Sequence, residues 1–446
     1  MTRTGDAPDL GGTRVAVVNW RDPWHPEAGG AERYAWAMAR GLAGHGAAVC
    51  FVTARAPGQA RREHRDGIEI VRTGGRFTVY PKVLVWLLAH RRSFHAVLDC
   101  QNGIPFFSPL VLPPSTPVLC VMHHVHSVQW DMHFPAWVAR AGRLLEGPVA
   151  RRVYRRHGCV AVSPSTVAAM RARLGWAGDI YVIPNGAPVP ARGGDPPLCF
   201  PGGLPPEPRV PDRRSAPSGG QPPRQERGCS PGPPRSPLRA GRRPAAAAEV
   251  GTVSWVGRLV AHKRPGLILP VAERLRGRGI SVDVVGRGPA RPALAGQVSA
   301  AGLAGVVRLR GFLPEAEKTA LVAGSLLHLN TSLGEGWGLC VLEAAALGVP
   351  TVAFDVDGLR DAVRDGETGW LVRDGERIED VAERAVKELA DPARRAAVAA
   401  ACRAWAARFS WDASAARMAG LVAAATAAGT SRGLGDFGRP WCDKRW

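Results

Sequence analysis

Lysine is nearly missing from this sequence. Of 58 basic residues in 446, five are lysine (Lys82, Lys263, Lys318, Lys387 and Lys444) and the rest are arginine. A formal net charge of +20 ordinarily suggests a polyanionic partner. Here the arginine excess accompanies abundant Ala, Gly and Pro, the stamp of a GC-rich coding sequence. No lysine-rich arm, zinc-finger spacing or RNA-binding aromatic signature goes with it. A nucleic-acid partner is therefore not expected. Paired cysteines are missing too: the nine cysteines include no C-x-x-C, which speaks against a disulfide framework and a zinc ribbon. Long apolar runs are absent, since none approaches the roughly 20 residues of a spanning helix. The opening "MTRTGDAPDLGGTR" lacks the apolar centre of a signal peptide, so the expected location is cytoplasmic.

What is present is alternation. "RVAVVNW" (14–20) is a β-branched run bounded by polar residues and reads as a buried parallel strand. A loop with Gly29 and Gly30 follows, then "AERYAWAMARGLAGHG" with helical spacing of Tyr34, Met38 and Leu42, then "AAVCFVT". That is a βαβ unit. "AVLD", "PVLCVM", "CVAVS" and "IYVIP" continue the strands to about residue 184. From "TVSWVGR" (252–258) the pattern restarts through "SVDVVGRG", "VVRLRGF", "LLHLNTS", "PTVAFDV" and "TGWLV", with helical segments between. Strands alternating with helices predict two doubly wound α/β domains, residues 1–186 and 251–428, facing each other across a cleft.

Residues 187–250 differ from both. Seventeen of the chain's 39 prolines fall in these 64 residues, with ten arginines against five acids. Such a segment buries too little apolar surface to offset its ordering entropy, so it is expected to be a disordered connection, either a natural insertion or a stretch read out of frame. Residues 429–446 are expected to be a disordered tail.

The chemistry concentrates after the restart. "GEGWGLCVLEAAALG" (334–348) sets Glu335 and Glu343 on either side of a glycine-rich turn entering a helix. Free N–H groups at that helix start attract phosphate, and an acid tolerated nearby suits neutral hydroxyl donors such as a sugar or ribose diol. Alternatively, the acids complement the helix dipole or are merely solvated. "GRLVAHKR" places Arg258 and Lys263 directly after the first strand of the second domain, at the edge where doubly wound sheets bind ligands, and two cations there could neutralise a diphosphate. A basic loop without function is the alternative for so arginine-rich a chain.

With "EGWGLCVLE", "VGRLVAHKR", "EAGGAERY", "VSPST", "VIPNGA" and "RDGETGWLV" together, the chain resembles the retaining glycosyltransferases of family 4, of GT-B architecture. The resemblance implies a nucleoside-diphosphate sugar donor, such as a UDP- or GDP-hexose, and an acceptor glycan, lipid or small molecule, for example in envelope glycan, glycolipid or secondary-metabolite synthesis. It also implies no cofactor beyond that substrate. Residue by residue, it implies that Glu343 binds the ribose hydroxyls and Glu335 a hydroxyl of the donor sugar. Arg258 and Lys263 would hold the diphosphate with backbone N–H groups of Gly336, Trp337 and Gly338. Gly29 and Gly30 would let the opposing backbone approach the donor, and His123 would touch the donor sugar. No metal is expected. His123, His124, His126 and His133 lie close in sequence, but adjacent strand residues point to opposite faces and no acid pattern completes a shell. "DVD" (355–357) is read as structural. A sugar-nucleotide epimerase of the same architecture and an inactive nucleotide-sugar-binding homologue remain as alternatives. Finally, "VYPKVLVWLLAHRR" and "ARRVYRRHG" combine apolar stripes with cations, which raises peripheral contact with an anionic membrane; the alternative is a buried helix with solvated basic ends.

Overall fold

The computed structural model describes residues 8–187 and 251–434. Most of the expected connection, residues 188–250, and the last residues, 435–446, lie outside the described residues.

The first sheet comprises β1 (Arg14–Val18), β2 (Ala48–Thr53), β3 (Arg62–Arg65), β4 (Ile68–Arg72), β5 (Ala96–Gln101), β6 (Val118–Met122), β7 (Gly158–Ala161) and β8 (Ile180–Val182). Their order is β3-β4-β2-β1-β5-β6-β7-β8. Every pairing is parallel except β3 with β4. β5 and β6 are buried along their whole length, as expected of strands covered by helices on both faces. The β3–β4 hairpin was not expected, because "REHR" has no apolar residue. It turns at Asp66 and Gly67, whose φ values of 51° and 75° give the mirror-image turn that joins twisted strands tightly.

The second sheet comprises β9 (Gly251–Val256), β10 (Ile280–Val285), β11 (Val307–Gly311), β12 (Leu327–Asn330), β13 (Thr351–Phe354) and β14 (Gly369–Val372). Its order is β11-β10-β9-β12-β13-β14, wholly parallel. Strand order reverses between β9 and β12, so the loops leaving these two neighbours splay apart and open a crevice at their carboxyl ends.

Two sequence expectations need correction. The helix Trp411–Ala428, assigned to the second domain, packs instead on the Gly30–Gly44 helix of the first. A Cβ on Gly41 would lie 2.1 Å from that of Ala415, so a small residue is required where the two helices cross. Ser414 donates to the Pro184 carbonyl at 2.7 Å in the same contact. Residues 429–434, expected in the loose tail, are also held by the first domain. The buried Ser431 hydroxyl donates to Val118 O and accepts from Gly158 N, each at 2.8 Å. Two polar satisfactions inside a sheet edge outweigh the segment's loop-like composition.

Candidate active site

The crevice at the β9/β12 reversal is built by the two loops that leave those strands. Arg264 ties them together, donating to Thr331 O at 2.8 Å and Ser332 O at 3.1 Å while its guanidinium stacks 4.0 Å above the Phe354 ring. The Thr331 hydroxyl donates back to Lys263 O at 2.6 Å and accepts from Trp255 Nε1 at 2.9 Å. This cross-linking aims Lys263 at Glu335. The Lys263 ammonium donates to Glu335 Oε1, and Ser332 Oγ donates to the same oxygen at 2.7 Å. Burial pushes the Glu335 carboxyl up, but the Lys263 charge and the Ser332 hydroxyl outweigh it and hold the group below its ordinary range.

Glu343 sits in the helix Leu339–Ala346. Lys318 donates to its Oε2 at 2.9 Å and Arg33 to its Oε1 at 3.0 Å. Burial again raises this carboxyl, and Lys318 and then Arg33 more than reverse the effect, so Glu343 is also held low. Both acids are thus ionised acceptors within cationic surroundings. Arg258, exposed on the loop after β9, makes no ion pair among the described residues.

The first domain closes over this loop. His123, directly after β6, is buried, and a Cβ on Gly336 would lie 2.0 Å from the His123 carbonyl oxygen, which leaves glycine as the residue that fits. Burial, and then His126, push His123 down to about 3, and the same causes push His124 down to about 3. Both rings are neutral near pH 7. His123 Nε2 is buried without a hydrogen-bond partner among the described residues, its ring set edge-to-face with Tyr34. Gly30 faces Leu339 at the start of the Glu343 helix, 2.8 Å from where a Cβ would stand. Gly29 caps the opposing helix, its N–H donating to Glu32 at 2.8 Å. Gly338, with φ 85°, precedes the Glu343 helix, while the Trp337 ring turns inward against Phe409. Behind the loop, Ser165 accepts from Gly358 N at 2.6 Å and donates its own N–H to Asp361 at 2.9 Å. "DVD" is absorbed by arginines: Asp355 by Arg360 at 2.8 Å, Asp357 by Arg173 at 2.8 Å. Among the described residues no three His, Cys, Asp or Glu side chains gather as a metal shell.

The structure therefore brings Lys263, Glu335, Glu343, Gly336, Gly338, Gly30 and His123 to one cleft. Arg33, Lys318, Arg264 and Ser332 were not anticipated. Beside Glu335 a cavity of about 150 Å³ opens between the domains, lined by His124, Gln129, Arg173, His262 and Asp357.

Two facing doubly wound sheets, with acids and cations at the switch point of one, define a protein of GT-B architecture. Residues 28–189 match the family described as Glycosyltransferase Family 4, and residues 251–391 match Glycosyl transferases group 1. The chain belongs to glycosyltransferase family 4. A D-inositol 3-phosphate glycosyltransferase of Thermobispora bispora is 39% identical over 191 residues, covering 40% of this chain and 44% of that protein. One from Rhodococcus jostii is 39% identical over 201 residues, covering 41% and 44%. The chain thus spans under half the length of the curated relatives it matches. Sucrose-phosphate synthase of Thermosynechococcus elongatus superposes with a TM-score of 0.68 at 19% identity, covering 93% of this chain and all of that one. Anabaena HepE, solved in complex with UDP and glucose, superposes with a TM-score of 0.60 at 15% identity, covering 92% and 99%. These two likenesses speak to the fold.

Proposed function

We propose that this protein is a retaining glycosyltransferase that moves a hexose-type sugar from a nucleoside-diphosphate sugar to an acceptor hydroxyl without a metal ion. The observation that carries the reading is the pair of ionised acids, Glu335 and Glu343, each held by its own lysine at one switch-point crevice. Glu343 receives the ribose hydroxyls. Lys263 and Arg258 take the diphosphate and stabilise the charge that develops as it leaves. Once the diphosphate draws Lys263 away, Glu335 is an acceptor for a hydroxyl of the sugar. Its oxygen, already committed to Ser332 and Lys263, serves orientation rather than nucleophilic attack. Retention follows from attack by the acceptor on the face the diphosphate vacates, with the leaving phosphate taking the acceptor proton, which requires positioning more than a catalytic dyad.

The acceptor we propose is a phosphorylated polyol, the class for which the curated relatives are named. The cleft's charge suits it: Arg21, itself paired with Glu27, interacts with Arg76 of its own domain and with Arg258 of the other, a group of cations that a phosphate would neutralise. Release of nucleoside diphosphate from UDP- and GDP-hexoses, with and without inositol phosphate or inositol, tests the activity, and NMR of the product tests the anomer. Acceptor-dependent release with a retained anomer is expected; an inverted product, or release indifferent to acceptor, contradicts it.

A specific surface supports peripheral membrane contact as well. The helix Val79–Ala89 buries Val79, Val83 and Leu87 but exposes Val85 and Leu88, beside the exposed Phe77, Lys82, Arg91 and Arg92. No described helix is long and apolar enough to cross a membrane. Co-sedimentation with anionic but not neutral vesicles is expected, and equal or absent binding contradicts the contact.

A further inference from the structure

The ribose acid is held from both sides of the cleft. Arg33, in the first turn of the Gly30–Gly44 helix, places Nη1 3.0 Å from Glu343 Oε1 and Nη2 3.8 Å from Glu315 Oε2. Lys318, on the helix Glu315–Ala323, lies 2.9 Å from the other oxygen, Glu343 Oε2, and 2.7 Å from Glu315. The Lys318 and Glu343 side chains are 12% and 17% exposed, so their pairing is largely shielded. An ionised carboxylate offers about four lone-pair sites. The two cations use one site on each oxygen and leave acceptor capacity on both, which matches the adjacent hydroxyls of a ribose cis-diol. Two cations and two acids leave the cluster neutral, so a neutral diol meets acceptor atoms without a charge to compensate.

We infer that Arg33 is a positioning residue of the ribose subsite, so that this subsite is completed only by the two domains together. Lys318 fixes one oxygen of Glu343 from within the second domain, and Arg33 fixes the other from across the cleft. The inference rests on the reading above in which Glu343 receives the ribose. Its consequence is that discrimination between a ribonucleotide and its deoxy counterpart depends on a residue more than 300 positions away in the sequence from the acid that contacts the sugar. An arginine that merely braced the fold would change the affinity for both nucleotides alike.

Calorimetric titration of the full chain with whichever of UDP and GDP it binds, and with the matching 2′-deoxy nucleotide, separates these cases. The wild type should prefer the ribonucleotide by about tenfold or more, the worth of a charged hydrogen bond. Arg33→Gln should reduce that ratio by about two- to fivefold, the range for a partly exposed ion pair, and Arg33→Lys should restore part of it. The ratio is insensitive to an unfolded fraction, which lowers the number of sites instead. An Arg33→Gln ratio equal to the wild type's overturns the inference, while a preference lost in Glu343→Gln leaves the ribose reading standing. A wild type without preference, or a Glu343→Gln variant that keeps it, overturns the ribose reading and the inference with it.

Discussion

The two sheets share a strand logic and diverge in what they present to the cleft. At the carboxyl edge of the second, Lys263 with Glu335 and Lys318 with Glu343 form ionised pairs, the first fastened by Arg264, Thr331 and Ser332. At the facing edge of the first, His123 is buried and His124 half-buried, both neutral, and the backbone comes close through Gly30 and Gly336. On the function proposed above, charge lies where a diphosphate and a carboxylate–diol contact would need it. On the same reading, neutral, shape-defining groups lie where the donor sugar's hydroxyls would be. Arg33 alone among the residues described above carries a first-domain charge onto the ribose acid, which makes it the exception that joins the halves.

The contrast breaks most readily by removing one group from each side. Lys263→Ala should lower kcat/KM about 10³-fold and weaken nucleoside-diphosphate binding, because it strips the diphosphate of a cation and leaves Glu335 an under-compensated buried anion. His123→Ala should lower turnover by about tenfold while leaving nucleoside-diphosphate affinity close to the wild type's. Calorimetry beside steady-state kinetics compares them. Equal losses of nucleotide affinity would erase the distinction between the two edges.

The same contrast has a pH signature. Histidines held at about 3, against an ordinary 6.5, bind fewer protons folded than unfolded, so they withdraw stability as pH falls from about 6.5 toward 3. The depressed acids Glu335 and Glu343 contribute stability above about 4.5 that is lost as pH falls through their lowered values. Denaturant titrations should therefore show two windows. Replacing His123 and His124 with glutamine should make the upper one shallower, by up to about 1.4 kcal/mol per pH unit for each, and leave the lower, with His157 and His328, which burial pushes down to about 4, supplying the slope that remains. A slope unchanged by these substitutions between pH 6.5 and 5 would contradict their neutral state. The smallest effect is expected at the seam: Ser165→Ala should cost about 1 kcal/mol, read as a lower denaturant midpoint, by removing the hydroxyl's bonds to the Gly358 N–H and to the Asp361 carboxylate while the Ser165 backbone N–H keeps its own bond to Asp361. An unmoved midpoint would mean that the seam contributes nothing to holding the domains together.

Much of this was legible because doubly wound sheets write themselves as apolar runs. β1, β2, β5 and β6 are buried nearly throughout, and the loops carrying Arg258, Lys263, Glu335 and Glu343 follow strands directly. The β3–β4 hairpin is hard to read although Asp66–Gly67 announces its turn, because the all-polar edge strand "REHR" has no alternation of apolar and polar residues. Arg33 and Lys318 carried no signal. In a chain with 53 arginines one more on a helix is unremarkable as sequence, and its partner acid lies in another domain. The return of the Trp411–Ala428 helix was equally hidden, since an alanine-rich helix shows little of which side it will bury. The crossing depends on Gly41 and Ala415, small residues whose meaning appears only when they meet.

The central claim is that the two acids grip different parts of one donor. Titrating Glu343→Ala and Glu335→Ala with the nucleoside diphosphate, alongside kinetics with the intact nucleotide sugar, tests it most directly. Glu343→Ala should weaken nucleotide binding by roughly 1.5–3 kcal/mol, about ten- to a hundredfold. Glu335→Ala should bind the nucleotide nearly as the wild type does and lose about 10²-fold in turnover, since its contact matters as the sugar moves toward the transition state. Equal weakening of nucleotide affinity by both substitutions, or no effect of either, would contradict it.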